Sequence, residues 1–140
     1  MRILIYGSRT WENPGPIEAV ILGSLALARS RGEHLIIVHG DNRPGRNRKT
    51  PGADYLADRL GRRHGAEVVP VRADWDRYKK GAGPVRNGLM LKDYGPFHAI
   101  WGFRMPGDSP GSDDMTEQAR KAGYTPFVVT NPAEATPTLF

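Results

Sequence analysis

Cysteine is absent from the 140 residues, which excludes disulfides, thiolate nucleophiles and cysteine-ligated zinc. No apolar run approaches the length of a membrane span, and no N-terminal stretch has the form of a signal peptide. A cytoplasmic protein without a membrane partner is therefore expected. The full Gly-x-Gly-x-x-Gly fingerprint of dinucleotide binding is also missing, as are internal repeats and any linker that would divide the chain. With this length, one domain over 1–130 and a C-terminal tail over 131–140 are expected.

What is present is a basic, loop-rich chain. It has 17 Gly and 12 Pro, is 39% hydrophobic, and carries a net charge of +5. An isoelectric point near 9.8 favours phosphate-bearing partners, either nucleic acid or nucleotides. The cations gather in three stretches, 43–49, 59–63 and 72–86, rather than in one patch.

The chain is organised around its first eleven residues. Ile3 to Tyr6 is a short apolar run rich in β-branched residues, the pattern of a strand covered on both faces. It ends at Gly7, Ser8, Arg9 and Thr10, followed by Trp11. Glycine permits close approach of a ligand, the hydroxyls and the guanidinium donate hydrogen bonds, and a helix follows. A strand, a small polar turn and a helix suit a phosphate, although they equally describe a plain connection.

Beyond it, strands and helices alternate. Strands are expected at 2–6, 34–39, 67–71, 97–101 and 126–129, and helices at 16–31, 52–64 and 113–122. A segment over 72–95 is expected to hold a short helix near 84–91, and 102–112 reads as a loop. The pattern predicts an α/β, Rossmann-like three-layer sandwich around a mostly parallel five-stranded sheet of order 3-2-1-4-5.

In such sheets ligands bind beyond the carboxyl ends of the strands, and the chain places its unusual polar residues there. They are Gly7 to Trp11, then His39 and Gly40 with Asp54 just downstream, then Asp74 and Trp75, then Gly111 and Ser112. Each has a plainer reading. Asp54 would either favour the positive end of a helix or contact a ribose or base from the strand edge, and His39 suits a satisfied buried histidine better than a general base. The stretch 42–50, with four cations in nine residues, is either a solvated loop or a flap over an anion. In the segment from Ala73 to Met90, Trp75 and Tyr78 can stack on a base, while Lys79, Lys80 and Arg86 can pair with phosphates and Asn87 lies beside them. Aromatics interleaved with cations also suit single-stranded nucleic acid, and an exposed connection is the simplest alternative. Backbone N–H groups near Gly111 and Ser112 would receive a phosphate, yet Asp113 and Asp114 would repel one if turned inward. That carboxylate pair is by itself a weak metal signal, and no metal site is expected.

Gly7-Ser8-Arg9 with Trp11, His39-Gly40 with Gly52-Ala53-Asp54, Ala73-Asp74-Trp75, Gly81-Ala82-Gly83-Pro84 with Arg86-Asn87 and Met90, and Gly111-Ser112 with Met115 together carry a resemblance. In this order and combination the chain resembles the SLOG superfamily, in particular its YspA-like branch, frequent in bacterial and phage genomes. The resemblance implies a Rossmann-like fold that binds a nucleotide or nucleotide-derived ligand of the ADP-ribose, NAD or nucleoside phosphate type, as a sensor or a sequestering protein, with no certain cofactor. It also implies kinship with the LOG-type phosphoribohydrolases, which are dimers, and with the DNA-processing protein DprA. A homodimer and N-glycosidic cleavage are thus further expectations. In LOG-type enzymes the loop before the last helix reads Pro-Gly-Gly-x-Gly-Thr-x-x-Glu, and the glutamate serves cleavage. Here Gly111-Ser112 replaces Gly-Thr and Met115 falls at the glutamate. Cleavage would need Asp54, Asp74 or Asp114 to stabilise an oxocarbenium-like state.

Overall fold

The computed structural model describes residues 1–42 and 50–130. Residues 43–49, most of the 42–50 stretch read as either a solvated loop or a flap over an anion, and the tail 131–140 lie outside the described residues.

The elements are β1 (Arg2–Gly7), α1 (Pro14–Ser30), β2 (Ile36–His39), α2 (Ala53–Arg63), β3 (Glu67–Pro70), α3 (Trp75–Tyr78), α4 (Ala82–Asp93), β4 (Ala99–Arg104), α5 (Pro110–Lys121) and β5 (Phe127–Thr130). The five strands form one sheet of order β3-β2-β1-β4-β5, and every neighbouring pair is parallel. This is the Rossmann-like order expected from the alternation. Successive side chains of a strand point to opposite faces, so β1 feeds both layers. Ile3 and Ile5 join Trp11, Ile17, Ile21 and Ala57 under α1 and α2. Leu4 and Tyr6 join Met90, Ile100, Met115 and Ala119 under α4 and α5. Burying such a side chain stabilises the fold by about 1.5–3 kcal/mol, which makes the central strand the main contributor to both cores. Among the described residues no helix is long and apolar enough to cross a membrane.

Three differences from the sequence reading have local causes. The segment after β3 is more helical than expected. Asp74 accepts from Arg77 N at 3.2 Å and starts α3, a 3-10 turn over Lys79–Gly81 follows, and α4 begins at Ala82. Pro84, which reads as a turn residue, sits in the first turn of α4, where a missing N–H costs nothing. Likewise α5 starts at Pro110 rather than at 113, because proline at the first helical position already has a helical φ. Finally, Gly102 lies inside β4 instead of opening a loop, since pairing with β1 continues from Tyr6↔Gly102 to Gly7↔Phe103. A Cβ on Gly102 would stand 2.5 Å from the Tyr6 ring, so the glycine makes room for that tyrosine.

Two glycines allow opposite outcomes to be expected. At Gly7 a Cβ would stand 2.3 Å from the Phe103 carbonyl oxygen and 2.6 Å from the Ala53 Cβ. Gly7→Ala should therefore cost about 2–3 kcal/mol in urea unfolding, the range of overpacked cores. Gly23 lies in the middle of α1 with nothing within 4 Å of its would-be Cβ. Gly23→Ala should gain about 0.5–1 kcal/mol by restricting the unfolded chain. A Gly7→Ala midpoint equal to that of the parent would show that the approach of β1 to β4 is not tight.

Candidate functional site

The strand order reverses between β1 and β4, and the carboxyl ends of these two strands are joined by Ser8. Its N–H donates to Phe103 O at 2.9 Å, and its carbonyl accepts from Trp11 N at 3.2 Å and from Ala53 N at 3.1 Å. Its hydroxyl lies 2.9 Å from the Ser109 hydroxyl and accepts from Met105 N at 2.9 Å. Ser8 is thus buried and its groups are occupied by the protein; it shapes a floor. Trp11, expected at the ligand site, is a core residue instead. It is fully buried, meets Phe103 edge-on at 5.5 Å, and donates its indole N–H to Asn13 O at 2.6 Å. An apolar ring with one donor satisfied locally is more stable there than at a polar edge.

A cleft of about 420 Å³ opens above this floor, lined by Gly7 to Thr10, Trp75, Lys80, Gly83, Arg86, Gly111 and Ser112 among others. A second lobe of about 530 Å³ adjoins it and includes Gly40, Asp41, Arg72, Asp74 and Asp76. The two share Arg9, Asn42, Trp75 and Arg86. Residues from the ends of β1, β2, β3 and β4 therefore meet along one rim.

Arg9 and Trp75 are exposed and adjacent, with the guanidinium carbon 5.8 Å from the indole centroid. Arg9 also reaches Asn42 Oδ1 at 3.4 Å. Arg86 differs, being only 5% exposed. It donates from Nη1 to Gly40 O and from Nε to Asn87 Oδ1 at 3.0 Å. A Cβ on Gly40 would stand 2.7 Å from this guanidinium, so glycine is required for the clamp. Among the described residues no carboxylate forms an ion pair with Arg86. Burial pushes its pKa below the ordinary arginine value, against the pull of the Asp54 charge, and Arg9 adds to the lowering. It stays protonated at neutral pH, a desolvated cation at the cleft wall.

Other expected site residues serve the scaffold. His39 is buried, with Nε2 2.8 Å from Asp58 Oδ2 and Nδ1 accepting from Asp41 N at 3.0 Å. Both ring nitrogens are used, which leaves the satisfied histidine and not the general base. Asn87 holds the Arg86 Nε, and its Nδ2 donates to Asp114 Oδ2 at 3.0 Å; its side chain locks α4 to α5 rather than facing the cleft. Asp74 caps α3 while lining the second lobe. Asp114 accepts from Asn87 and, at 2.8 Å, from Gln118. Asp113 pairs with Arg104 at 2.7 Å and 3.1 Å. Arg104 holds the Asp113 carboxyl below its usual range. Neither member of the Asp113–Asp114 pair lines the cleft, so the repulsion expected from them does not arise. Met115 is buried in the core under α5. Asp54 is buried at the start of α2, with Oδ2 accepting from Asn42 N at 3.0 Å and Oδ1 lacking a partner among the described residues. Desolvation raises its pKa, opposed by His39, the Asn42 N–H and Arg86.

The helix starts at this edge are not equivalent. Asn13 caps α1 through Gly15 N at 3.0 Å, and the Ala53 N–H of α2 is taken by Ser8 O. At α5, Ser109 occupies the cap position, but its hydroxyl is engaged with Ser8 and makes no cap hydrogen bond. The start of α4 also lacks a side-chain cap. These two uncapped starts border the cleft through Gly83, Gly111 and Ser112. At α4 the Ala82 N–H is taken by Lys79 O and Pro84 has none, whereas at α5 the Gly111 and Ser112 N–H groups have no side-chain cap and, with the positive end of the helix dipole, favour an anion. The sequence reading left out Ser109 and Asn42. Serine before proline is a helix-start signature, so Ser109 was findable; Asn42 was not, because its role is set by the fold around it.

No protein-family model matches the chain. The chain is 34% identical over 128 residues to the "Gene 61 protein" of Mycobacterium phage D29, an alignment covering 87% of this chain and 90% of that protein. At that identity and coverage, the chain belongs to the family of the phage D29 Gene 61 protein.

Proposed function

We propose that the protein binds a nucleotide or nucleotide-derived small molecule in the cleft between the ends of β1 and β4. The observation that carries this reading is the convergence of Arg9, Lys80 and Arg86 with the uncapped start of α5 on one cleft, beside the exposed Trp75. Phosphate oxygens would lie against Gly111 and Ser112 N–H and the three cations. Trp75, backed by Arg9, offers a face on which a base can stack. The concave, two-lobed shape, with lobes of about 420 and 530 Å³, supports a small ligand over a nucleic-acid strand. Binding is supported over N-glycosidic cleavage because Asp74 and Asp114 are engaged in the scaffold and Met115 is buried. The reading also takes up the SLOG resemblance: of the residues that carry it, Gly7, Ser8, Arg9, Trp75, Arg86, Gly111 and Ser112 line the cleft.

Calorimetry with ADP-ribose, NAD, AMP and cyclic nucleotides tests it. At least one should bind, and Arg9→Ala should weaken it about 10–100-fold, the loss expected for a charge-assisted contact. Trp75→Ala should weaken the same ligand about tenfold or more if its base stacks there. Failure of every nucleotide to bind the unmodified protein would overturn the proposal.

A further inference from the structure

Beneath the cleft lies a second, much smaller space of about 10 Å³. It shares Gly7, Asn42, Arg86, Gly111 and Ser112 with the cleft lining, and adds Asp54. A space of this size holds one water-sized group. Asp54 Oδ1 is buried without a hydrogen-bond partner among the described residues, and its companion oxygen is already taken by Asn42 N. Leaving such an acceptor unsatisfied is unfavourable, so a donor belongs beside it. The same space is bordered by donors. Arg86 has guanidinium N–H groups beyond the two bound to Gly40 and Asn87, and the α5 start has no side-chain cap.

One acceptor and several donors around a single-atom space select a group that both gives a proton and accepts hydrogen bonds. A hydroxyl does both. A phosphate dianion has no proton to give and is repelled by a carboxylate; an ammonium has no lone pair for the donors. We infer that this space is a hydroxyl subsite, in which Asp54 accepts from a ribosyl hydroxyl of the ligand and so selects ribosyl over deoxyribosyl ligands. The inference rests on the proposed nucleotide cleft and assigns Asp54 a specificity role that is not catalytic. It also explains why a carboxylate is tolerated beside an anion site: it meets an uncharged hydroxyl of the ligand rather than the phosphate.

The test compares AMP, 2′-deoxy-AMP, 3′-deoxy-AMP and inorganic pyrophosphate by calorimetry on the full chain and on Asp54→Ala. The unmodified protein should bind at least one deoxy analogue about tenfold or more weakly than AMP, as for a lost hydrogen bond to a charged group. In Asp54→Ala that ratio should shrink to within about threefold, while pyrophosphate affinity changes little, since the only ligand contact removed is the one to the hydroxyl. Equal binding of AMP and both deoxy analogues by the unmodified protein overturns the inference and identifies the space as a water site. So does a ratio that survives in Asp54→Ala. Should that variant not fold, the unmodified protein's ratio decides, with Asp54→Asn as the volume-conserving comparison. Pyrophosphate binding without ribosyl selectivity leaves the nucleotide cleft standing; no binding of pyrophosphate or any nucleotide removes both.

Discussion

At the carboxyl end of β1 the backbone runs so near β4 that a side chain on Gly7 would overlap the Phe103 carbonyl. That proximity lets the next residue, Ser8, bind Phe103, Met105, Ser109, Trp11 and Ala53 at once. The cleft exists because of this junction. The loop after β1 is pulled against the starts of α2 and α5, and Arg9 is left to project over the rim. Because Ser8 takes the Ser109 hydroxyl, the first turn of α5 keeps its N–H groups uncapped. A contact that stabilises the sheet edge therefore also leaves the α5 start at the cleft without a side-chain cap.

The polar groups of the edge divide into two sets. His39 with Asp58, Asn87 with Asp114, and Asp113 with Arg104 are satisfied within the protein, and they hold α2, α4 and α5 in place. Arg9, Trp75 and Lys80 are exposed and face the cleft. Arg86 and Asp54 belong to both sets. Each is buried at some electrostatic cost, which the opposite pKa displacements of the two groups register: the guanidinium lowered and the carboxyl raised, both chiefly by desolvation. Two buried, opposite charges that do not form a direct ion pair make sense at a recognition site, where ligand groups complete their hydrogen bonding.

The kinship with a phage protein adds a family without adding a chemistry. The functional reading accordingly stands on geometry among the described residues: which helix start has no side-chain cap, which cations at the cleft form no ion pair, and which buried carboxylate oxygen has no donor. The scaffolding roles of Asp114, whose Oδ2 holds Asn87 and Gln118, and of Asp74, whose Oδ1 caps α3, matter as much, because they tie up groups that could have served bond cleavage.

The sequence by itself determined the layers and their order. Near-continuous apolar strands such as Ile3 to Tyr6, separated by amphipathic helices, have few arrangements other than a parallel sheet covered on both faces. It also placed the cleft, because ligand-facing loops in such sheets follow the strand ends. The division of labour within that rim came from the tertiary structure alone. Trp11 and Arg9 are near neighbours in the chain, yet one is sealed under α1 and the other lies over the cleft. His39 is satisfied by Asp58, nineteen residues away, and Arg86 by Gly40, forty-six residues away. Whether a polar side chain is used up or left available depends on which distant group reaches it, and that is settled by packing across the sheet rather than by local pattern.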